Sequence, residues 1–430
     1  VTSEFELQGL GISELAGEYG TPFYLYDGEE LGGRLTRLRA TLHPSLEVFF
    51  SLKSNPNVSI CALLHAHGAR AEVSSMVELV TALTAGVAPS DIMFLGPGKS
   101  QAELSACLDH DIYAIICESF GELDRIDELA AARGVTARVA LRVNPEFAVK
   151  GSGLTMGGKP RQFGIDEAQL LAAEELAARY PNIRLIGVQA YMGTRILKED
   201  PVVENTFRIF DLAERVAARH GFALEMVDIG GGLGIAYFEG EDDLDLDVLA
   251  AKINPVIEEF ANRHPDTRLV MELGRYLTAM SGTYVTRVEY VKTSLGERFA
   301  VADGGTNHHM AAVGIGSFVK RNFPMRVLNR IDEEARESWY VTGPLCTPND
   351  TLGKKVALPP VQPGDLIGVE RSGAYGPTAS PVFFLSHGYP AEVLVHGGRS
   401  YLIRERDQTT DLLARQHLHD VASYAADAVR

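Results

Sequence analysis

Several absences narrow the reading at once. The chain has no uninterrupted apolar run of about 18 residues, so no membrane-spanning helix is expected. The stretch Val1 to Leu10 has neither a basic region nor a hydrophobic core. No export signal is evident there, and the cytoplasm is the expected compartment. Only four cysteines occur, Cys61, Cys107, Cys117 and Cys346, and none has metal-binding spacing. In a cytosolic chain they are expected to be reduced. Positive charge is scarce: 40 Lys and Arg against 57 Asp and Glu leave a net charge of −17, which disfavours nucleic acid as a partner. There is no repeat of fixed period and no low-complexity linker.

At 430 residues the chain exceeds one ordinary domain, and two are expected. Apolar residues make up 46%, enough for a large core. Thr21–Tyr26 reads as a strand entering the first domain. Apolar runs then follow at Val48–Lys53, Ala71–Ser75, Ile92–Gly96, Tyr113–Cys117, Arg138–Asn144, Leu185–Gly193, Met226–Gly232 and Leu269–Arg275. Helical patterns lie between them, as at Met76–Ala85, Glu122–Arg133, Glu167–Tyr180, Glu204–His220 and Leu246–Arg263. Continuously apolar strands with intervening helices argue for βα units. Eight units in roughly 250 residues predict an α/β fold of the (β/α)8 TIM-barrel type. An open doubly wound sheet is the alternative. After Arg275 the runs shorten and are split by Gly and Pro: Ser281–Val291, Phe299–Ala302, Trp339–Thr342, Asp365–Val369, Glu392–Val395 and Tyr401–Ile403. They predict a second, mostly antiparallel β domain. The expected division is 23–275 for the barrel and 276–430, with 1–22, for the β domain. Thr410–Val429 reads as a closing helix.

The first of the eight apolar runs ends in a lysine, within Val48-Phe49-Phe50-Ser51-Leu52-Lys53-Ser54-Asn55-Pro56-Asn57. Desolvation at such a strand mouth lowers an amine's pKa and suits Schiff-base chemistry with a carbonyl cofactor. A lysine snorkelling to water is the bland alternative. In a barrel the active site lies at the C-terminal strand ends, and the unusual residues fall there. Arg142 is at the fifth end, Tyr191 and Thr194 at the sixth, Gly230-Gly231-Gly232 at the seventh, and Glu272-Leu273-Gly274-Arg275 at the eighth. Glycines let backbone amides approach a phosphate, and arginine adds a bidentate contact. Tight turns and rim salt bridges use the same residues. A carboxylate such as Glu272 pairs with a protonated pyridine nitrogen. Together the parts suit pyridoxal 5'-phosphate.

On these motifs the chain resembles the ornithine/diaminopimelate decarboxylase family of barrel-type pyridoxal phosphate enzymes, from Thr21 to about Val395. The carrying motifs are Leu52-Lys53-Ser54-Asn55, Asp228–Gly234, Glu272–Arg275, Gly343-Pro344-Leu345-Cys346-Thr347-Pro348-Asn349-Asp350 and Gly373-Ala374-Tyr375-Gly376. The resemblance implies that Lys53 carries the cofactor, Glu72 steadies the lysine, Arg142 neighbours Glu272, and Tyr375 contacts the phosphate. It implies a homodimer with shared sites, in which Cys346 reaches the partner's site as proton donor. Without the resemblance, Cys346 reads as a buried structural thiol.

Three departures stand out. Leu273 occupies a position that is often proline in the family. Tyr191 replaces the histidine usually stacked on the cofactor; it stacks but is not cationic at neutral pH. Thr347 replaces the acid that usually follows the cysteine and meets a distal ammonium, which disfavours lysine, ornithine and arginine as substrates. Met156-Gly157-Gly158-Lys159-Pro160-Arg161-Gln162-Phe163-Gly164, Asp303-Gly304-Gly305-Thr306-Asn307-His308-His309 and Gly343–Asp350 are similar to decarboxylases of antibiotic biosynthesis, such as that of butirosin. The substrate so implied is an acidic amino acid, glutamyl- or aspartyl-type, tethered to an acyl-carrier protein. Lys150, Lys159 and Arg161, with Lys320 and Arg321, would offer that carrier a local basic patch, and Arg321 is also a candidate for holding a substrate carboxylate. No metal is expected at His308-His309, because adjacent strand residues point to opposite faces. The alternatives are meso-diaminopimelate decarboxylation and a non-catalytic homologue, but the latter usually lacks the lysine or the cysteine.

Overall fold

In the computed structural model, residues 3–147, 154–155, 158–313 and 321–419 are described. Eight parallel strands build the first domain: β1 (Leu46–Ser51), β2 (Arg70–Val73), β3 (Ile92–Phe94), β4 (Ala114–Cys117), β5 (Ala137–Asn144), β6 (Ile183–Gln189), β7 (Met226–Gly231) and β8 (Arg268–Leu273). Each pairs in parallel with the next. Leu269–Leu273 of β8 then pairs with Leu46–Phe50 of β1, which closes the barrel and excludes the open sheet. All eight apolar runs are barrel strands. Their inward side chains form a plug of Phe49, Met93, Leu95, Ala114, Ile116, Ala140, Ile186, Met226 and Val270.

The helices outside the barrel bury one stripe each. Glu199–His220 buries Val202, Asn205, Thr206, Ile209, Phe210, Leu212, Ala213, Val216, Ala217 and His220, the three-and-four spacing of a helix face. Phe120–Arg133 starts on a Ser119 cap to the Glu122 amide and stops at Gly134 in the left-handed conformation. The segment Glu167–Tyr180 was expected to be one helix and is two, Glu167–Ala172 and Leu176–Arg179. Arg219 donates to the Leu171 and Ala173 carbonyls and His220 bonds the Leu170 carbonyl, so these acceptors serve another helix.

The second domain is a nine-stranded sheet built mainly on Gly282–Ser294, Glu297–Ala302, Glu337–Thr342, Thr351–Leu358, Leu366–Val369, Ala391–His396 and Arg399–Arg404. It also takes Phe23–Asp27, which the sequence reading put in the barrel. That strand pairs antiparallel with Gly282–Val285 and parallel with Ala391–Val395. Its residues Phe23 to Tyr26 are all buried, so its own pattern does not distinguish the two sheets, and its partners lie more than 250 residues away. The expected closing helix is present only as Thr409–Leu413 among the described residues. Residues 420–429 of that expected helix lie outside the described residues.

Candidate active site

The strand register itself builds the site. Two residues beyond a plug residue on the same strand is again an inward position. Ile116, Ala140, Met226 and Val270 are thus followed by Glu118, Arg142, Asp228 and Glu272, all buried. Lys53 lies just past β1, in the tight turn Leu52–Ser54. The β domain docks on this turn: the Tyr375 amide donates to the Ser54 carbonyl at 2.7 Å, and Asn55 Nδ2 donates to the Gly373 carbonyl at 3.1 Å. Lys53, Tyr375 and Glu272 thereby come together from three distant segments.

Lys53 Nζ is 3.8 Å from Glu72 Oε2 and 5.6 Å from the Tyr191 ring centroid. Its side chain is 42% exposed, opening into the site, whereas Glu72 is buried. Burial pulls the ammonium's pKa down, but Glu72, Tyr191 and Glu272 outweigh it and the pKa is raised. The expectation of a lowered pKa is corrected by these neighbours. The Tyr191 phenol is pushed up by burial, so it is neutral. Burial and Glu72 raise Glu272; burial and Glu272 together raise Asp228 well above the usual carboxylate range. The pair as a whole is pushed toward keeping a proton, because two buried carboxylates cannot both ionise cheaply.

Arg142 lies close enough to Glu272 for its charge to favour the ionised carboxylate, but its ion pair is with Glu118. Its Nη1 binds Glu118 Oε1 at 3.0 Å, and its guanidinium lies 4.7 Å from the Phe163 ring centroid. Glu272 instead accepts from Gln189 Nε2 at 3.1 Å. Gly230 and Gly232 take φ of +67° and +91°. Gly231 has no room for a side chain, since a Cβ would fall 1.6 Å from the Glu272 carbonyl oxygen, and at Gly274 it would meet Ser54. Arg275 Nη1 donates to the Tyr237 hydroxyl at 2.9 Å, and its guanidinium lies 4.7 Å from the Tyr375 ring centroid. Thr194 is in the two-residue strand Gly193–Thr194, paired with Leu154–Thr155.

Arg321 is half exposed at the mouth, 3.5 Å from Glu241 and stacked on Phe238. Lys159 and Arg161 are exposed on the segment that meets the end of β5, where Asn144 bonds the Lys159 carbonyl and the Gly158 amide. Lys150 and Lys320 lie outside the described residues. Cys346 is exposed, whereas Cys61, Cys107 and Cys117 are buried; the thiol is therefore not a core residue. Buried Asp350 fixes its loop by accepting from the Leu345 and Thr306 amides, each at 2.7 Å. Thr347, beside the cysteine, is partly exposed. His308 bonds Tyr284 and the Gly388 carbonyl, and His309 bonds Ser372, each within the β-domain core.

Sequence reasoning passed over Asp228, Gln189, Glu118 and Tyr237. Alternation from the plug residues identifies Asp228 and Glu118 once the strand register is known. Gln189 and Tyr237 carry no such signal.

Among the described residues, eleven buried side-chain polar atoms lack a partner. Six of them belong to Glu72, Gln189, Arg195, Asp228, Glu272 and Arg275, at or near these strand ends. Buried polar groups are normally satisfied, so their concentration here, beside an amine and a glycine turn, fits a bound polar group with an anionic end. Pyridoxal phosphate meets that description.

Comparison with known proteins agrees. The model of the pyridoxal-dependent decarboxylases, pyridoxal binding domain, matches residues 30–279. The chain is 40% identical over 409 residues to the L-glutamyl-[BtrI acyl-carrier protein] decarboxylase of Niallia circulans, covering 94% of this chain and 96% of the relative. It is 30% identical over 401 residues to the diaminopimelate decarboxylase of Helicobacter pylori, covering 93% and 96%. The structure of the M. jannaschii diaminopimelate decarboxylase with L-lysine superposes with a TM-score of 0.87 at 27% identity, over 97% and 96% of the two chains. With lysine, buried acids, glycine turn and arginine assembled at the strand ends, the chain belongs to the pyridoxal-dependent decarboxylases and is an amino-acid decarboxylase whose cofactor is pyridoxal 5'-phosphate.

Proposed function

We propose that the chain removes the α-carboxylate of an acidic amino acid, glutamyl- or aspartyl-type, whose side-chain carboxyl is held as a thioester on an acyl-carrier protein, in natural-product biosynthesis. The observation that carries this reading is the 40% identity, over nearly the full length of both chains, to a decarboxylase named for a carrier-linked glutamyl substrate. Thr347 supports it, because an uncharged residue beside Cys346 offers nothing to a distal ammonium. The exposed Lys159, Arg161 and Arg321 offset the overall charge of −17 where an acidic carrier would approach.

Bound pyridoxal phosphate supplies the electron sink for loss of the α-carboxylate. Lys53 would attach it through Nζ, and Glu72 would hold Nζ as an ammonium whenever it is not attached. Glu272 would hold the proton of the ring nitrogen through its unpartnered Oε2, with Asp228 buried beside it. Arg142, fixed by Glu118, adds positive potential beside Glu272. Tyr191 would face the ring, while Thr194, Gly230, Gly231, Gly232, Gly274, Arg275 and Tyr375 would take the phosphate. Cys346 would return a proton to the substrate's α-carbon in the site of a second copy, which makes the working unit a cytoplasmic homodimer. Retention of both Lys53 and Cys346 argues against a non-catalytic homologue.

The test compares kcat/KM for free glutamate, aspartate and diaminopimelate with that for carrier-borne glutamyl and aspartyl units. A preference for a carrier-borne unit is expected. Diaminopimelate decarboxylation is the second reading, favoured by the H. pylori relative and by Arg321 at the mouth. Efficient turnover of free diaminopimelate, with none of a carrier-linked substrate, would establish it instead.

A further inference from the structure

Cys346 serves the site of a second copy in the reading above, so its own barrel cannot aim it. Its backbone has to. The cysteine is exposed on the loop Gly343–Asp350, which joins the strands Glu337–Thr342 and Thr351–Leu358. These strands pair antiparallel, with Thr342 opposite Thr351, and the Gly343 amide donates to the Asp350 carbonyl across the base of the loop at 3.2 Å. Pro344, Pro348 and Asn349 are exposed with the cysteine, whereas Leu345 and Asp350 are buried. The Asp350 side chain turns back under the loop. Its Oδ2 accepts from the amide of Leu345, the residue directly before Cys346, at 2.7 Å. Its Oδ1 accepts from the Thr306 amide at 2.7 Å and from the Thr306 hydroxyl at 3.0 Å. Thr306 is itself buried, on the segment that follows the strand Glu297–Ala302. One carboxylate thus ties the cysteine's arm of the loop to the body of the domain. Two glycines make room for it: a Cβ on Gly305 would overlap Asp350 Oδ1, and one on Gly343 would overlap Oδ2.

A carboxylate accepts on both oxygens, and donors on both fix the direction in which it points. An asparagine at the same place would turn its own N–H groups toward either the Leu345 or the Thr306 donor. We propose that Asp350 is the positioning residue of the proton donor: it sets the backbone from which the Cys346 thiol enters the second copy's site. This rests on the shared-site reading of Cys346 and names what holds the thiol on target.

The test compares Asp350→Asn with Cys346→Ala as holoenzymes, on whichever of carrier-borne glutamate and free diaminopimelate the wild type turns over. In Asp350→Asn, kcat is expected to fall about tenfold or more, with KM and the Kd for pyridoxal phosphate within about twofold of wild type. The double variant should be no slower than Cys346→Ala alone, because the two changes remove one function. Mixing Lys53→Ala with Asp350→Asn subunits should recover activity as Lys53→Ala with Cys346→Ala does, since the site that keeps Lys53 is completed by an intact loop. An unchanged kcat, an additive loss in the double variant, or no recovery in demonstrably exchanged dimers overturns the proposal. Where Asp350→Asn does not fold, Thr306→Val decides, because it removes only the hydroxyl bond: a fall in kcat of about threefold supports the proposal, and an unchanged kcat overturns it. Cys346→Ala with the kcat of the wild type overturns the proton-donor reading as well.

Discussion

Replacing Tyr237 with phenylalanine isolates the bond that holds the phosphate-side arginine. Arg275 Nη1 donates to the Tyr237 hydroxyl at 2.9 Å, and its guanidinium lies 4.7 Å from the Tyr375 ring centroid and 5.5 Å from that of Tyr237. The substitution removes the hydroxyl and leaves both rings, so the cation–π contacts, about 0.5–1 kcal/mol each, persist. A hydrogen bond to a charged group is worth about 1.5–3 kcal/mol net. Tyr237 is only 3% exposed, so solvent does not readily replace the hydroxyl. Burial raises the phenol's pKa despite Arg275 and Arg195, which keeps the hydroxyl protonated through the working range. The remaining ring contacts still hold the guanidinium roughly in place, so the lower end of the range, about 1.5 kcal/mol, is expected; that is about a tenfold loss of cofactor affinity. The assay titrates pyridoxal phosphate into stripped enzyme and follows visible absorbance, with a thermal melt of the stripped protein in parallel. An unchanged Kd would refute the reasoning. So would a large fall in the melting temperature of the stripped protein, because the hydroxyl would then serve packing rather than Arg275.

Lys53→Ala should abolish both the visible band of the bound cofactor and turnover; a variant retaining either removes Lys53 from its role. Mixing Lys53→Ala with Cys346→Ala subunits should recover part of the activity, because one site in each mixed dimer is intact; no recovery despite demonstrated subunit exchange counts against shared sites. Burial lowers His308 to about 4 and His309 to about 3. The unfolded chain takes up these protons below about pH 6.5 while the fold refuses them, so stability should fall as pH drops from about 6.5 toward 4. His308→Gln should melt with a shallower dependence across that window, and an identical slope would show that His308 does not contribute.

The barrel was legible because its strands are apolar on both faces and its helices carry three-and-four spacing, patterns that short windows of sequence contain. Lys53, the glycine turn and the Glu272–Arg275 motif were legible for a related reason: charges and glycines are out of place at the ends of apolar strands. Neither signal reaches across the chain. Phe23–Asp27 looks like a barrel strand until its partners near residues 284 and 393 are known. Arg142 acts on Glu272 from nearby, yet its ion pair is with Glu118 at the end of the adjacent strand, which no local pattern signals. The direction of the Lys53 pKa also reversed, because desolvation is a local property whereas the Glu72, Tyr191 and Glu272 fields come from three other segments. Sequence alone thus determined which segments become the barrel strands and most of its helices, and which residue types stand at their ends, since periodicity and turn chemistry act over a few residues. Tertiary structure decided which charges meet, which carboxyls are pushed toward protonation and which thiol is exposed, since Coulomb interaction and burial depend on distances that only the closed barrel and the docked β domain set.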